Sequence, residues 1–370
     1  MNVLILSDLV VYSGVGQYIV QLGEAIADNY KNTVVLASSN IQRTDISENI
    51  IVIKLPAPNK FVLYLKLLHK IIDIYKIDVV HFNHRKQGFI MRLYQLIYGN
   101  IPTVWTCHTV PYPNNLIKRL LGYYGHISIA ISIEAQNWMH KELLINNSRI
   151  DKITNGVDNS ALTIPDVEKH ILKQNFFKKY FNEDIDGKYI KIIVAHGRLH
   201  PIKGLDLLIK AFAQLDKTKR QNVKLVLSGS TQDAYYNVLT SLIAEYHLDN
   251  SVYFTDWVSS GDILSVADLM VQPSLREGFP LAVMEAFFMK VPVIRSMVGG
   301  FEDVKNFCIG VPVGDVNAIS MELNRWLINP NLYQNIIQKA YEFAIQDGTI
   351  KSMANKTLKT YNKAIELCQS

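Results

Sequence analysis

The chain of 370 residues reads as an α/β protein of two doubly wound, Rossmann-like domains facing each other across a cleft. Three observations predict this. Short apolar runs recur along the whole length, with helical patterns between most of them. These runs are apolar at consecutive positions, not alternate ones, as expected of strands buried on both faces of a parallel sheet. The length also exceeds what one core usually serves, so two domains are expected.

Taken in order, "NVLILS" opens the first series and is followed by the helical stretch "GQYIVQLGEAIADNY" and then "TVVLAS". "DVVHFN", "PTVWTCH" and "ISIAIS" continue it. Residues 160–187, "DVEKHILKQNFFKKYFNEDIDGKY" in the main, are polar, helix-prone and poor in strand signal. The domain junction is placed there, giving domains 1–165 and 166–349. A second series then runs through "IKIIVAHG", the helix "GLDLLIKAFAQL", "VKLVLSGS", "SVYFTDW", "LMVQPS", "VPVIRS" and "CIGVPV".

Composition narrows the function classes. Hydrophobic residues make up 49% and charged residues 19%, a balance that excludes a disordered chain. No apolar run reaches the roughly 18 residues that span a bilayer. "MNVLILSD" lacks a basic leader and reads as a strand instead of a signal peptide. Cys107, Cys308 and Cys368 are scattered, which argues against a disulfide framework or a cysteine-rich zinc site and fits a reducing cytoplasm. A net charge of +5 is too mild for a nucleic-acid binder. Lys and Arg outnumber Asp and Glu by 15 to 11 over residues 1–160 and by only 23 to 22 thereafter, so the excess is N-terminal.

Ligands of open α/β sheets sit at the carboxyl ends of strands, which directs attention to the residues following each run. Gly14 and Gly16 lie between the first strand and helix, as a tight turn or a phosphate or sugar contact. A third glycine and an acid after the next strand are missing, against a dinucleotide site. His108 follows "TVWTC"; alone it reads as structural, as do His81 and His84. "AHGRLHPIKG" places Gly197, Arg198 and Lys203 between a strand and a helix start, where a guanidinium, an ammonium and a helix dipole form a diphosphate clamp. In "PSLREGFPLAVMEAFF", Glu277 precedes a Gly-Phe-Pro turn and Glu285 lies about 7–8 Å further along the helix that Pro280 starts. Two acceptors at that spacing suit two hydroxyl-bearing parts of one long ligand. Flanked by apolar residues, Glu285 is expected to be partly buried and to need a partner. Asp184 and Asp186 form a D-x-D in a polar segment and read as a solvated turn, not a metal site.

In order, these pieces resemble the retaining glycosyltransferases of family 4, which have the GT-B fold. The matching stretches are the glycine turn at 14–16, "DVVHFN", His108, "TNGVD", "GRLHPIKG", "LVLSG" with Gly229, "PSLREGFPLAVMEA" and the Gly299–Gly300 pair. The resemblance implies that Glu285 holds ribose hydroxyls of a nucleotide sugar and Glu277 lies near the transferred sugar. The segment Gly278, Phe279, Pro280 and Leu281 would face sugar and phosphate through its backbone N–H groups, of which proline supplies none. Arg198 and Lys203 would neutralise the diphosphate in place of a metal. His108 would contact the donor sugar, Gly16 would admit the diphosphate, and a helix near 350–370 would return to the first domain. No protein nucleophile stands out, and front-face attack assisted by the leaving phosphate is what the family implies. Lys290 stands where relatives often carry glycine, and "FED" follows the glycine pair where many have "xPE".

The reaction this implies is metal- and cofactor-independent hexosyl transfer from a nucleotide sugar, a UDP-sugar by family frequency, to a glycan, glycolipid or protein-glycan acceptor in surface polysaccharide or glycoconjugate synthesis. A catalytically silent GT-B subunit and a sugar-nucleotide epimerase are the alternatives. Residues 59–76 and 114–126 interleave lysine or arginine with apolar residues. They suit either packing on the sheet or an anionic membrane surface, so a cytoplasmic enzyme peripheral to the inner face of the membrane is expected.

Overall fold

The computed structural model describes residues 1–30, 32–57, 59–108, 122–160, 162–230 and 233–369. The chain divides into two compact units, Asp158–Gln346 and a composite of Met1–Val157 with the segment from Asp347 onward.

The first unit holds a sheet of seven strands: β1 (Asn2–Val10), β2 (Thr33–Ile41), β3 (Ile50–Lys54), β4 (Val79–Phe82), β5 (Thr103–Cys107), β6 (Ile127–Ala130) and β7 (Ile150–Lys152). They lie in the order β3-β2-β1-β4-β5-β6-β7, every neighbouring pair parallel. β1, β4 and β5 are buried over nearly their whole lengths, which is why their sequences are apolar without alternation. One sheet face is covered by the helices Gly14–Tyr30 and Ile350–Gln369, whose Tyr18, Ile19, Met353 and Tyr361 join Val3 and Ile5 in one core. The other face takes the helices Phe61–Ile74, Arg85–Tyr98 and Ile133–Leu143.

The second unit repeats the plan with six parallel strands: β8 (Lys191–His196), β9 (Val223–Ser228), β10 (Val252–Thr255), β11 (Leu269–Gln272), β12 (Val293–Ser296) and β13 (Ile309–Val311). Their order is β10-β9-β8-β11-β12-β13. Both sheets reverse strand order beside their first strand, between β1 and β4 and between β8 and β11. Such a switch point leaves a crevice at the carboxyl ends.

The helix Lys169–Phe181, within the 160–187 segment, belongs to the second unit. Its Phe177 is fully buried, and Lys173 pairs with Asp268 at 2.6 Å while donating to the Ile190 carbonyl at 2.9 Å. The apolar stripe of 59–76 faces the sheet: Leu65 and Leu68 are in the core, and Phe61, Ile72 and Tyr75 pack against it. Of the 114–126 stretch, 114–121 lies outside the described residues, while Tyr123 and Tyr124 also pack on that core. Pro280 is the residue before the helix Leu281–Phe288, at φ −76° and ψ 120°, one position earlier than the sequence pattern placed it. The exposed Asp184 meets Lys178 at 2.9 Å, as a solvated turn should.

Candidate functional site

At the switch point of the second sheet, the chain leaves β8 through Gly197 and Arg198 and leaves β11 through Pro273 and Ser274. A pocket there is lined by His196, Gly197, Arg198, Lys203, Gln272 and Ser274, among others. Two backbone positions shape it. Gly197 has φ +133°, and Gly229, at φ +144°, lies so close that a Cβ there would be 2.1 Å from the Gly197 carbonyl oxygen. Gly204, in the left-handed region at φ +65°, separates the short turn Pro201–Lys203 from the helix Leu205–Ala213.

Lys203 Nζ donates to Glu277 Oε1 at 2.6 Å, and Ser274 Oγ donates to the same oxygen at 2.7 Å. Among the described residues Oε2 receives no hydrogen bond. The ammonium keeps two further donors, and the exposed Arg198 guanidinium is engaged by no described residue. The site therefore presents two cations and one open carboxylate oxygen. Sequence reading named both groups but not the Lys203–Glu277 pair, which joins residues 74 positions apart.

Glu285 sits on the half-buried side of the helix Leu281–Phe288, and desolvation pushes its carboxyl above the usual range, offset in part by Ser260. Ser260 Oγ donates to Glu285 Oε2 at 2.9 Å. With its proton so used, Ser260 accepts from His196 Nε2 at 3.1 Å, and His196 Nδ1 accepts from Ser228 Oγ at 3.3 Å. This chain needs a neutral imidazole, and burial holds His196 down at about 4. His196 escaped notice in the sequence, although its place ending an apolar run was a usable signal.

Arg295 was also missed. It is fully buried on β12 and donates to the carbonyls of Gly299 and Gly300 at 2.9 and 3.3 Å. Gly299 packs on the Glu277 backbone so tightly that a Cβ would stand 2.2 Å from its carbonyl oxygen. Gly278 and Phe279 are buried beneath this turn, and the helix they precede has no side-chain cap; within its first turn the Val283 N–H donates to the Pro280 carbonyl at 3.3 Å. Lys290 adopts φ +53°, which accounts for glycine being the easier residue there, and its ammonium lies 4.4 Å from the Tyr341 ring centre.

The switch point of the first sheet is different in kind. Gly14 and Gly16 fall in the first turn of the helix Gly14–Tyr30 and not in a loop before it; a Cβ at Gly16 would lie 2.0 Å from the Val11 carbonyl oxygen, so that position requires glycine, whereas Gly14 has open space around it. His108 is buried, and its Nε2 meets Asn83 Oδ1 at 2.8 Å. Asn83 Nδ2 donates to the Leu6 carbonyl at 3.2 Å, which turns Oδ1 towards the imidazole. His108 therefore carries its proton on Nε2 and offers Nδ1 as an acceptor. Burial, with the neighbouring His84 and His81, lowers its pKa to about 3. His81 is fully buried between Tyr361 and Thr106 at 2.7 Å each and is also lowered to about 3. That supports its structural reading.

Two parallel, doubly wound sheets with ligand-facing loops at their switch points define a GT-B type of α/β protein. The family comparisons agree. A family model described as glycosyl transferases group 1 matches residues 177–343, and one described as Glycosyltransferase Family 4 matches residues 12–161. The chain belongs to this glycosyltransferase family. It is 30% identical over 184 residues to an uncharacterized glycosyltransferase of Methanocaldococcus jannaschii, covering 48% of this chain and 46% of that one. A UDP-Gal:alpha-D-GlcNAc-diphosphoundecaprenol alpha-1,3-galactosyltransferase of Escherichia coli is 25% identical over 299 residues, 76% of this chain and 74% of that protein. The chain spans about half or less of the length of the first relatives it matches. HepE of Anabaena, solved in complex with UDP and glucose, superposes with a TM-score of 0.82 at 17% identity, covering 98% of this chain and 100% of that one. No helix among the described residues is long and apolar enough to cross a membrane.

Proposed function

We propose that this protein is a retaining, metal-independent glycosyltransferase that moves a hexosyl group from a UDP-sugar to a glycan or lipid-linked acceptor in surface glycan synthesis. We place it in the cytoplasm, working at the inner face of the membrane. The observation that carries the reading is the convergence of Arg198, Lys203 and Glu277 at the second switch point. Departure of a nucleoside diphosphate concentrates negative charge on phosphate, and preorganised cations stabilise that charge without reorganising. Arg198 forks onto phosphate oxygens. Lys203, anchored by Glu277, donates its remaining protons to the same group. Glu277 Oε2 accepts from a hydroxyl of the transferred sugar. Glu285, oriented by Ser260, accepts from the ribose, and the backbone N–H groups of Gly278, Phe279 and Leu281 supply further dipoles. His108 Nδ1 accepts from the donor sugar and Gly16 leaves room for the diphosphate. The acceptor oxygen bonds the anomeric carbon on the side from which the diphosphate oxygen departs and gives its proton to that departing oxygen, so configuration is retained. The uridine donor and lipid-linked acceptor are supported by the substrates in the name of the E. coli relative and by the ligands bound to the Anabaena structure.

A thermal-shift screen of UDP-, GDP- and ADP-sugars in EDTA tests this, because a ligand that binds the folded state raises the melting point. A shift with UDP-sugars, lost in Arg198→Ala and Lys203→Ala, is expected. A shift that needs manganese, or that survives both substitutions, rejects the reading.

A further inference from the structure

The first sheet's outer helices present an unusual surface. On the helix Phe61–Ile74, the core side is taken by Tyr64, Leu65, Leu68 and Ile71, yet Val62, Leu63 and Ile74 are more than half exposed. Leu63, Lys66, Lys70 and Ile74 follow one another at helical spacing on the solvent side. The neighbouring helix Arg85–Tyr98 does the same: Leu96 is 76% and Ile97 60% exposed, and Phe89 stands out between Lys86 and Arg92. The two helices pack on the same sheet face and are tied together where the middle of the first meets the C-terminal turn of the second. His69 Nδ1 bonds Tyr94 Oη at 3.1 Å, and the His69 ring stacks on Tyr98 at 4.1 Å. Across both helices Asp73 is the single carboxylate, and Lys76 engages it at 3.0 Å.

We infer that this pair of helices is a docking surface for an anionic lipid bilayer. The inference deepens the proposed placement at a membrane by naming the face, which is not the stripe suggested by the sequence of 59–76. Charge complementarity selects this occupant. Exposed leucine, isoleucine and phenylalanine interleaved with lysine and arginine match the boundary between acyl chains and anionic headgroups. The same excess of positive charge opposes pairing with a second copy of this face. An acidic protein would satisfy the cations but would not require the apolar residues to enter hydrocarbon.

Co-sedimentation with vesicles of phosphatidylcholine alone, and with one third phosphatidylglycerol added, provides the test. The protein is expected to pellet with the anionic vesicles at low salt and to be released in large part at high salt. Lys66→Glu with Lys70→Glu should reduce partitioning at least tenfold, and Leu96→Ser with Ile97→Ser should reduce it several-fold. Both double variants should keep the thermal shift given by a nucleotide sugar, which separates this inference from the donor reading. No pelleting at low salt, equal pelleting with uncharged vesicles, or pelleting unaffected by both variants overturns it. So does a concentration-dependent dimer that the serine variant abolishes.

Discussion

The two units share a strand order but equip their switch points in opposite ways. In the second, Arg198, Lys203 and Glu277 put formal charge at the sheet edge. In the first, the corresponding edge holds a neutral imidazole, His108, and a glycine turn at Gly16. One topology thus serves as a charged cradle in one copy and an uncharged hydrogen-bonding wall in the other. The strand order supplies the crevice, and a handful of side chains decides its chemistry.

The comparison breaks most sharply through Lys203. Its replacement by Ala should lower kcat/KM for the donor by about a thousandfold, because it removes a cation and leaves the Glu277 carboxylate unpaired facing phosphate. Arg198→Ala, which strands no partner, should cost about a hundredfold. Steady-state kinetics in EDTA checks both, and equal small losses would contradict the charged-cradle picture.

The two carboxylates should separate next. Glu277→Gln is expected to lower kcat about tenfold or more with little change in KM, and Glu285→Gln to raise the donor KM with little change in kcat. Because burial raises the Glu285 carboxyl, its ionised form costs stability as pH rises through that raised value. Glu285→Gln should accordingly melt slightly higher than the parent at pH 7 while binding donor worse. A lower melting point would show that the carboxylate is structurally required.

A smaller effect distinguishes the units in acid. His81, His84, His108 and His126 of the first unit are all lowered by burial, against His196 alone in the second among the described residues. A lowered histidine contributes stability that is lost as pH falls from the unfolded value near 6.5 towards the folded one. For His81 and His108, both near 3, the two together amount to roughly 3 kcal/mol per pH unit across that window. The first unit should unfold first on acidification, reported by Trp105 and Trp138, before Trp257 and Trp326 change. Simultaneous transitions would remove the distinction. Smallest of all, Lys290→Gly relieves a left-handed backbone but loses the Tyr341 contact, and stability should stay within about 0.5 kcal/mol of the parent by chemical denaturation.

Most strands could be read from the sequence because parallel strands buried on both faces are apolar throughout. The exceptions show why the rest could not. β7 is the three residues Ile-Asp-Lys at a sheet edge, and β3 alternates in burial behind a polar loop. The segment 160–187 read as merely polar because its buried cation, Lys173, finds its carboxylate, Asp268, nearly a hundred residues away. In the site, charged residues after apolar runs were visible, whereas their partners were not. Nothing local in "VIRS" says that Arg295 fastens the glycine pair behind Glu277. The stripe of 59–76 left two readings open for a related reason: periodicity shows that a helix has an apolar side without saying what covers it.

The helix Ile350–Gln369 carries a consequence for how the chain is made. Its Tyr361 and Ala364 are fully buried in the first core, and the Tyr361 hydroxyl reaches His81 across 280 positions of sequence. Where it enters, Thr349 lies against Gly156 closely enough that a Cβ there would sit 2.3 Å from the Thr349 carbonyl oxygen. During translation the intervening second unit emerges from the ribosome in full before this helix does. At a typical elongation rate of about 5–20 residues per second, the N-terminal sheet waits some ten seconds or more with one face covered only by the helix Gly14–Tyr30. The second unit, continuous in sequence, has no such delay and can be complete while the earlier-made half is still a client for chaperones.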